Sequence, residues 1–141
     1  MMPEPRPHRL RRRPTLWVAP ALALVVLTGC GTVHTREDAA AAAATAFHKA
    51  VAAGDTGQAC ELLTESARSA LADNGDCAAA LADTDIPEAG SVERSAVWGK
   101  AAQVVLNGDT VFLTTFDGSW LVRAAGCEPD PPRPYDCAVE G

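Results

Sequence analysis

Catalytic signatures are missing from this 141-residue chain. It has no Gly-x-Ser-x-Gly elbow to expose a nucleophile, no glycine-rich phosphate loop and no paired metal-ligand motif. Tyrosine and histidine are scarce, at one and three residues, so acid–base chemistry has few candidates. The tyrosine, Tyr135, stands near the C-terminus, and His48 is the only histidine inside the segment that reads as folded. No Cys-x-x-Cys occurs, and His34 and His48 sit at no ligand spacing, which argues against zinc. Asp73, Asp76, Asp83 and Asp85 lack the alternating ligands, central glycine and terminal glutamate of a calcium loop, so they read as caps and solvated positions. No apolar run reaches the roughly 20 residues that a spanning helix needs. These absences leave no cofactor or metal to expect and disfavour an enzyme.

Positive charge is concentrated at the N-terminus. Arg6, Arg9, Arg11, Arg12 and Arg13 precede an apolar run from Leu16 to Leu27, about the length of the hydrophobic region of a signal peptide. Pro14 and Pro20 further weaken it as a stable spanning helix. The run closes on Leu27-Thr28-Gly29-Cys30, which resembles a bacterial lipobox. That resemblance implies a diacylglycerol on Cys30, palmitate-type acyl chains and cleavage of residues 1–29, so that Cys30 becomes the new N-terminus. The bland alternatives are an ordinary secretory signal with a chance cysteine, or an uncleaved short anchor. Arg12-Arg13 invites a twin-arginine export reading, against which Pro14 and Thr15 count. The expected location is the extracytoplasmic face of the cell membrane.

Cleavage leaves seven basic and seventeen acidic residues, a strongly acidic remainder. Such a chain repels phosphate backbones and anionic headgroups, so nucleic acid is excluded as a partner and membrane attachment falls to the lipid. About 110 residues make one small domain, marginally stable without help. Help is available from Cys60, Cys77, Cys127 and Cys137, an even set in an exported chain. Four cysteines allow three pairings. Cys60 with Cys77 and Cys127 with Cys137 is the expected set, because each closes a short local loop contributing on the order of 3 kcal/mol.

The exported part divides into a helical half and a strand half. Residues 30–37 read as a short lipidated linker, about 25 Å from Gly31 to Glu37 if fully extended. Thr35 and Asp38 resemble a capping box, and the alanine-rich run to Ala53 has high helix propensity until Gly54 stops it. Phe47 and Val51, with Ala40, Ala43 and Ala44, form its apolar stripe; His48 beside them reads as a surface or half-buried side chain. Asp55 or Thr56 can cap a second helix carrying Cys60, Leu62 and Leu63, with a further turn capped by Thr64. Asn74-Gly75 breaks the chain, and Asp76 can cap a last piece, Cys77 to Leu81. The expectation is one long helix and two short ones.

From Ser91 the period switches to two, giving strands around Val92 to Trp98, Gln103 to Leu106, Thr110 to Phe116 and Trp120 to Ala124. Asn107-Gly108 and Asp117-Gly118 are hairpin turns between them, so the sheet is an antiparallel meander and Asp109 and Asp117 lie at hairpin ends. Residues 127–141 read as a proline-rich tail closed by a disulfide. Helices can cover only one face of such a sheet; the other curls into a pocket, is covered by the tail, or meets a partner.

Several segments carry a family resemblance: Gly54-Asp55, Ala59-Cys60-Glu61-Leu62-Leu63-Thr64, Ala67-Arg68 and Cys77-Ala78-Ala79-Ala80-Leu81, followed by Gly108-Asp109-Thr110-Val111-Phe112-Leu113, Asp117-Gly118-Ser119-Trp120, Ala124-Ala125-Gly126-Cys127 and Pro134-Tyr135-Asp136-Cys137. With the helix-then-meander order, they resemble a minimal cystatin-like cone of the nuclear-transport-factor-two type, and more closely the actinobacterial lipoproteins of that type. The resemblance implies an α+β cone over residues 38–126 and a non-catalytic domain that binds a small apolar ligand or another envelope protein. The alternative it carries is an isomerase- or cyclase-like enzyme acting on an apolar substrate, with an acid or base inside the cone. Trp98, Phe112 and Trp120 are the side chains to test for ligand or partner contact; core packing explains them equally well.

Overall fold

The computed structural model describes residues 29–141 other than Asn74, with side chains described from Thr32 onward. The expected signal segment, Gly29 apart, and the Cys30 side chain lie outside what is described. The elements are α1 (Gly29–Ala52), α2 (Thr56–Glu61), α3 (Glu65–Ala72), α4 (Cys77–Ala82), β1 (Val92–Trp98), β2 (Ala101–Leu106), β3 (Asp109–Phe116), β4 (Ser119–Asp130) and β5 (Arg133–Glu140). The strands form one sheet in sequential order with every pairing antiparallel, so the chain is α+β with a meander.

Three short helices follow α1, where the sequence led us to expect two. The separation has a local cause. Between α2 and α3, Leu62 and Thr64 exchange backbone bonds with Val122 (Val122 N–H to Leu62 at 2.8 Å, Thr64 N–H to Val122 at 2.9 Å), so Leu63 bridges to β4 and the helix cannot run through. Each start is capped as its residue type dictates: Asp55 accepts from the Gln58 amide, Thr64 from Ala67, and Asp76 from Ala78 and Ala79. The disulfides are Cys60–Cys77, tying α2 to α4, and Cys127–Cys137, joining opposed residues of β4 and β5.

Two boundaries need correction. Residues 30–37 are not a linker: α1 begins at Gly29 and absorbs them, ahead of the expected Thr35 cap. Tertiary contacts hold this first part in place. Ser95 Oγ donates to the Glu37 carbonyl at 3.0 Å, the Arg36 guanidinium donates to the Gly99 carbonyl, and its Cζ lies 5.5 Å from the centroid of the Trp120 ring. As helix, Gly31 to Glu37 rises about 10 Å rather than the extended 25 Å. Nor is 127–141 a tail, since β4 runs on to Asp130 and Arg133–Glu140 returns beside it as the fifth strand.

The helices lie on one face of the sheet, α1 across β1 to β4 and α3 against β4 and β5. Period-two alternation sends Val104, Val111, Leu113, Val122 and Val139 to that side, where Phe47 and Leu63 complete a layer of fully buried side chains. At the Asp117-Gly118 turn both residues take positive φ, 49° and 82°. At Asn107-Gly108 only the glycine does, at 99°.

Candidate functional site

Gln103 and Phe112 have the opposite parity and face outward; Ala124 joins them through the register shift between β3 and β4, and the Tyr135 ring reaches Phe112 although Tyr135 shares the parity of Val139. Gln103 of β2 stands opposite Phe112 of β3, and Phe112 opposite Ala124 of β4. Ala124 and the following Ala125-Gly126 give β4 little bulk at this level. Tyr135 of β5 reaches across the gap: its ring centroid lies 4.9 Å from that of Phe112 in an edge-to-face pair, and its hydroxyl accepts from Gln103 Nε2 at 3.0 Å. Beside this bridge is a cleft of about 290 Å³ lined by Phe112, Arg123, Ala124, Pro134, Tyr135, Cys137 and Glu140. Its floor is aromatic and small-apolar, with one cation and one anion available. Such a surface can stack a flat or apolar group and orient it by charge.

The residues selected from sequence do not converge here. Phe112 lines the cleft, whereas Trp98 ends β1 and is 53 % exposed. Trp120 faces the helices beneath Arg36 at 9 % exposure, packed in the core. Reading 127–141 as a tail hid Tyr135. The alternation of Tyr135, Cys137 and Val139, spaced by two, was the signal for a strand.

A second constellation lies where α1 ends. His48 and Asp109 are both 6 % exposed, against the expectation of a surface or half-buried histidine; Asp109 does stand at the end of the β2–β3 hairpin, opposite Leu106, with its side chain buried. His48 Nε2 is 2.8 Å from Asp109 Oδ2; the same carboxylate accepts from the Gly126 amide at 3.0 Å and the Cys127 amide at 2.9 Å. A carboxylate only accepts, so Nε2 is the donor and the pair fixes the imidazole's orientation. Gly126 has a φ of +65°, and a Cβ there would meet the Ala138 side chain at 2.8 Å, so only glycine lets β4 present both amides to Asp109. The arrangement ties α1, β3 and the irregular part of β4 together. His48 also lines a cleft of about 350 Å³ with Val51, Ala52, Ile86, Pro87, Glu88 and Ala89.

Among the described residues no group of three or more His, Cys, Asp or Glu is placed to hold a metal ion. No helix among them is long and apolar enough to cross a membrane. Comparison with protein-family models, curated proteins and solved structures finds no match to this chain.

Proposed function

We propose that this is a lipid-anchored protein of the extracytoplasmic face of the cell membrane, and that its folded part is a reduced cystatin-like cone. In this reading it holds a small apolar ligand or another envelope protein without transforming it. The observation that carries the binding role is the contrast between the two sides of the sheet. Between sheet and helices, where a cone enzyme would keep its reacting groups, fully buried Phe47, Leu63, Val104, Val111, Leu113, Val122 and Val139 occupy the space. Among the described residues no helix covers Phe112 and Tyr135 on the outer side, and the cleft beside them is open to a partner. The anchor rests on the lipobox pattern ending at Cys30.

The test is crosslinking and native mass spectrometry of the lipidated protein from its own membrane. A bound species should be recovered with the unaltered chain and lost from Phe112→Ala/Tyr135→Ala, while the lipid label on Cys30 persists. Equal recovery from the double variant would move the site off this face. An unlabelled Cys30 would remove the anchor.

A second reading, a small isomerase- or cyclase-like enzyme, draws on His48 at the mouth of its own cleft with Asp109 behind it. Against it stands the full commitment of the carboxylate to three donors that hold the fold together. The enzyme reading requires His48→Asn to lose a turnover that the unaltered chain possesses, with the fold retained.

A further inference from the structure

Among the described residues, four large apolar side chains are more than a third exposed: Val33, Val92, Trp98 and Phe116. Three of them gather at one end of the molecule. The register places the Gly99-Lys100 turn and the Asp117-Gly118 turn at the same end of the sheet, Ala101 pairing with Thr114 and the Thr115 amide donating to the Lys100 carbonyl at 2.9 Å. Trp98 and Phe116 directly precede those turns, at 53 % and 56 % exposure. Both fall in the outward parity, Trp98 opposite Ala101 and Phe116 two residues beyond Thr114.

The same end receives the start of α1. Arg36 reaches Gly99 and covers Trp120, Ser95 holds Glu37, and twelve residues later His48 meets Asp109 at the opposite end. The helix therefore points its N-terminus out past the two turns. Cys30 precedes Arg36 by six residues, about 9 Å along the axis, with Val33 exposed between them. A lipid on Cys30 would hold this end against the bilayer, within reach of the aromatic tips.

Charge is distributed to match. With histidine neutral, the end next to Cys30 carries Arg36 and Lys100 against Glu37, Asp38 and Asp117, a net of minus one in a strongly acidic chain. Glu128, Asp130 and Asp136, with Arg133 the nearby cation, lie toward the other end of β4 and β5. Turning the end that carries Arg36 and Lys100 to the membrane keeps Glu128, Asp130 and Asp136 away from anionic headgroups. Tryptophan and phenylalanine at the water–lipid boundary are stabilised there by apolar burial of their rings.

We propose that Trp98 and Phe116 dock on the bilayer surface beside the lipid anchor, a second contact that fixes the domain's orientation over the membrane. It rests on the lipid-anchor reading and adds to it the face that meets the lipid. The contact is apolar, so it requires no anionic lipid.

The experiment uses mature lipidated protein in phosphatidylcholine vesicles with brominated acyl chains. After removal of the signal, Trp98 and the core residue Trp120 are the tryptophans of the chain. The expected result is a blue-shifted component of the emission that brominated lipid quenches, lost in Trp98→Phe and weakened in Phe116→Ser, with both variants still floating with the vesicles and unfolding at the unaltered midpoint. Full labelling of Cys30 and flotation without quenching of Trp98 would overturn the docking and leave the anchor standing. Absence of the lipid from Cys30 would overturn both. Protection of Trp98 from aqueous iodide without vesicles would overturn the bilayer as occupant in favour of contact between copies of the chain.

Discussion

The two ends of the sheet invert the usual placement of side chains. At the end where α1 finishes, a histidine and an aspartate are buried and hydrogen-bonded; at the end where α1 begins, a tryptophan and a phenylalanine are exposed. Buried polar groups persist when every lone pair and proton finds a partner, and Asp109 has three donors to meet that condition. Exposed large apolar groups, when they cluster, mark a surface that meets something else. One end therefore fastens the fold, and the other is free to serve outside it.

This contrast predicts very different responses to substitution. Asp109→Ala strands the His48 ring nitrogen and the Gly126 and Cys127 amides in a buried site, so it should cost about 3–5 kcal/mol in urea unfolding. A loss below about 1 kcal/mol would mean that the far end does not fasten the fold. Arg36→Ala removes a backbone hydrogen bond and the cation over Trp120, and should cost about 1 kcal/mol. Its clearest sign would be faster amide exchange in the first turns of α1, with the His48 end unchanged. Trp98→Ser should change stability by less than about 0.5 kcal/mol, since over half of the side chain is already in water. A larger loss would show that Trp98 belongs to the core after all.

Much of the framework was legible because its signals are local. The change of period at Ser91, the Asn107-Gly108 and Asp117-Gly118 turns and the caps at Asp55, Thr64 and Asp76 each depend on neighbours a few residues away. The His48–Asp109 pair was not, because 61 residues separate its members and Asp109 reads locally as a turn residue. A hint was present in both partners. His48 continues the spacing of Ala40 and Ala44 along the buried stripe of α1, and Asp109 shares the parity of Val111 and Leu113.

The start of α1 escaped for a different reason. Gly29 to Thr35 has weak helix propensity, and what keeps it helical is the grip of Arg36 and Glu37 on β1 and the turn after it. Residues 127–141 misled through composition, since prolines at 129, 131, 132 and 134 suggest irregular chain. In the fold Pro131 and Pro132 occupy the turn, while Pro129 and Pro134 lie at the adjoining strand ends.

The cross-links are arranged one after the other along the chain, closing loops of 17 and 10 residues that neither overlap nor nest. For a polypeptide threaded outward from its N-terminus, both partners of the first bridge emerge before either partner of the second. If the chain is exported as proposed, an oxidant acting on the emerging thiols would meet Cys60 and Cys77 before Cys127 and Cys137. In that case order of arrival alone would favour the observed connectivity.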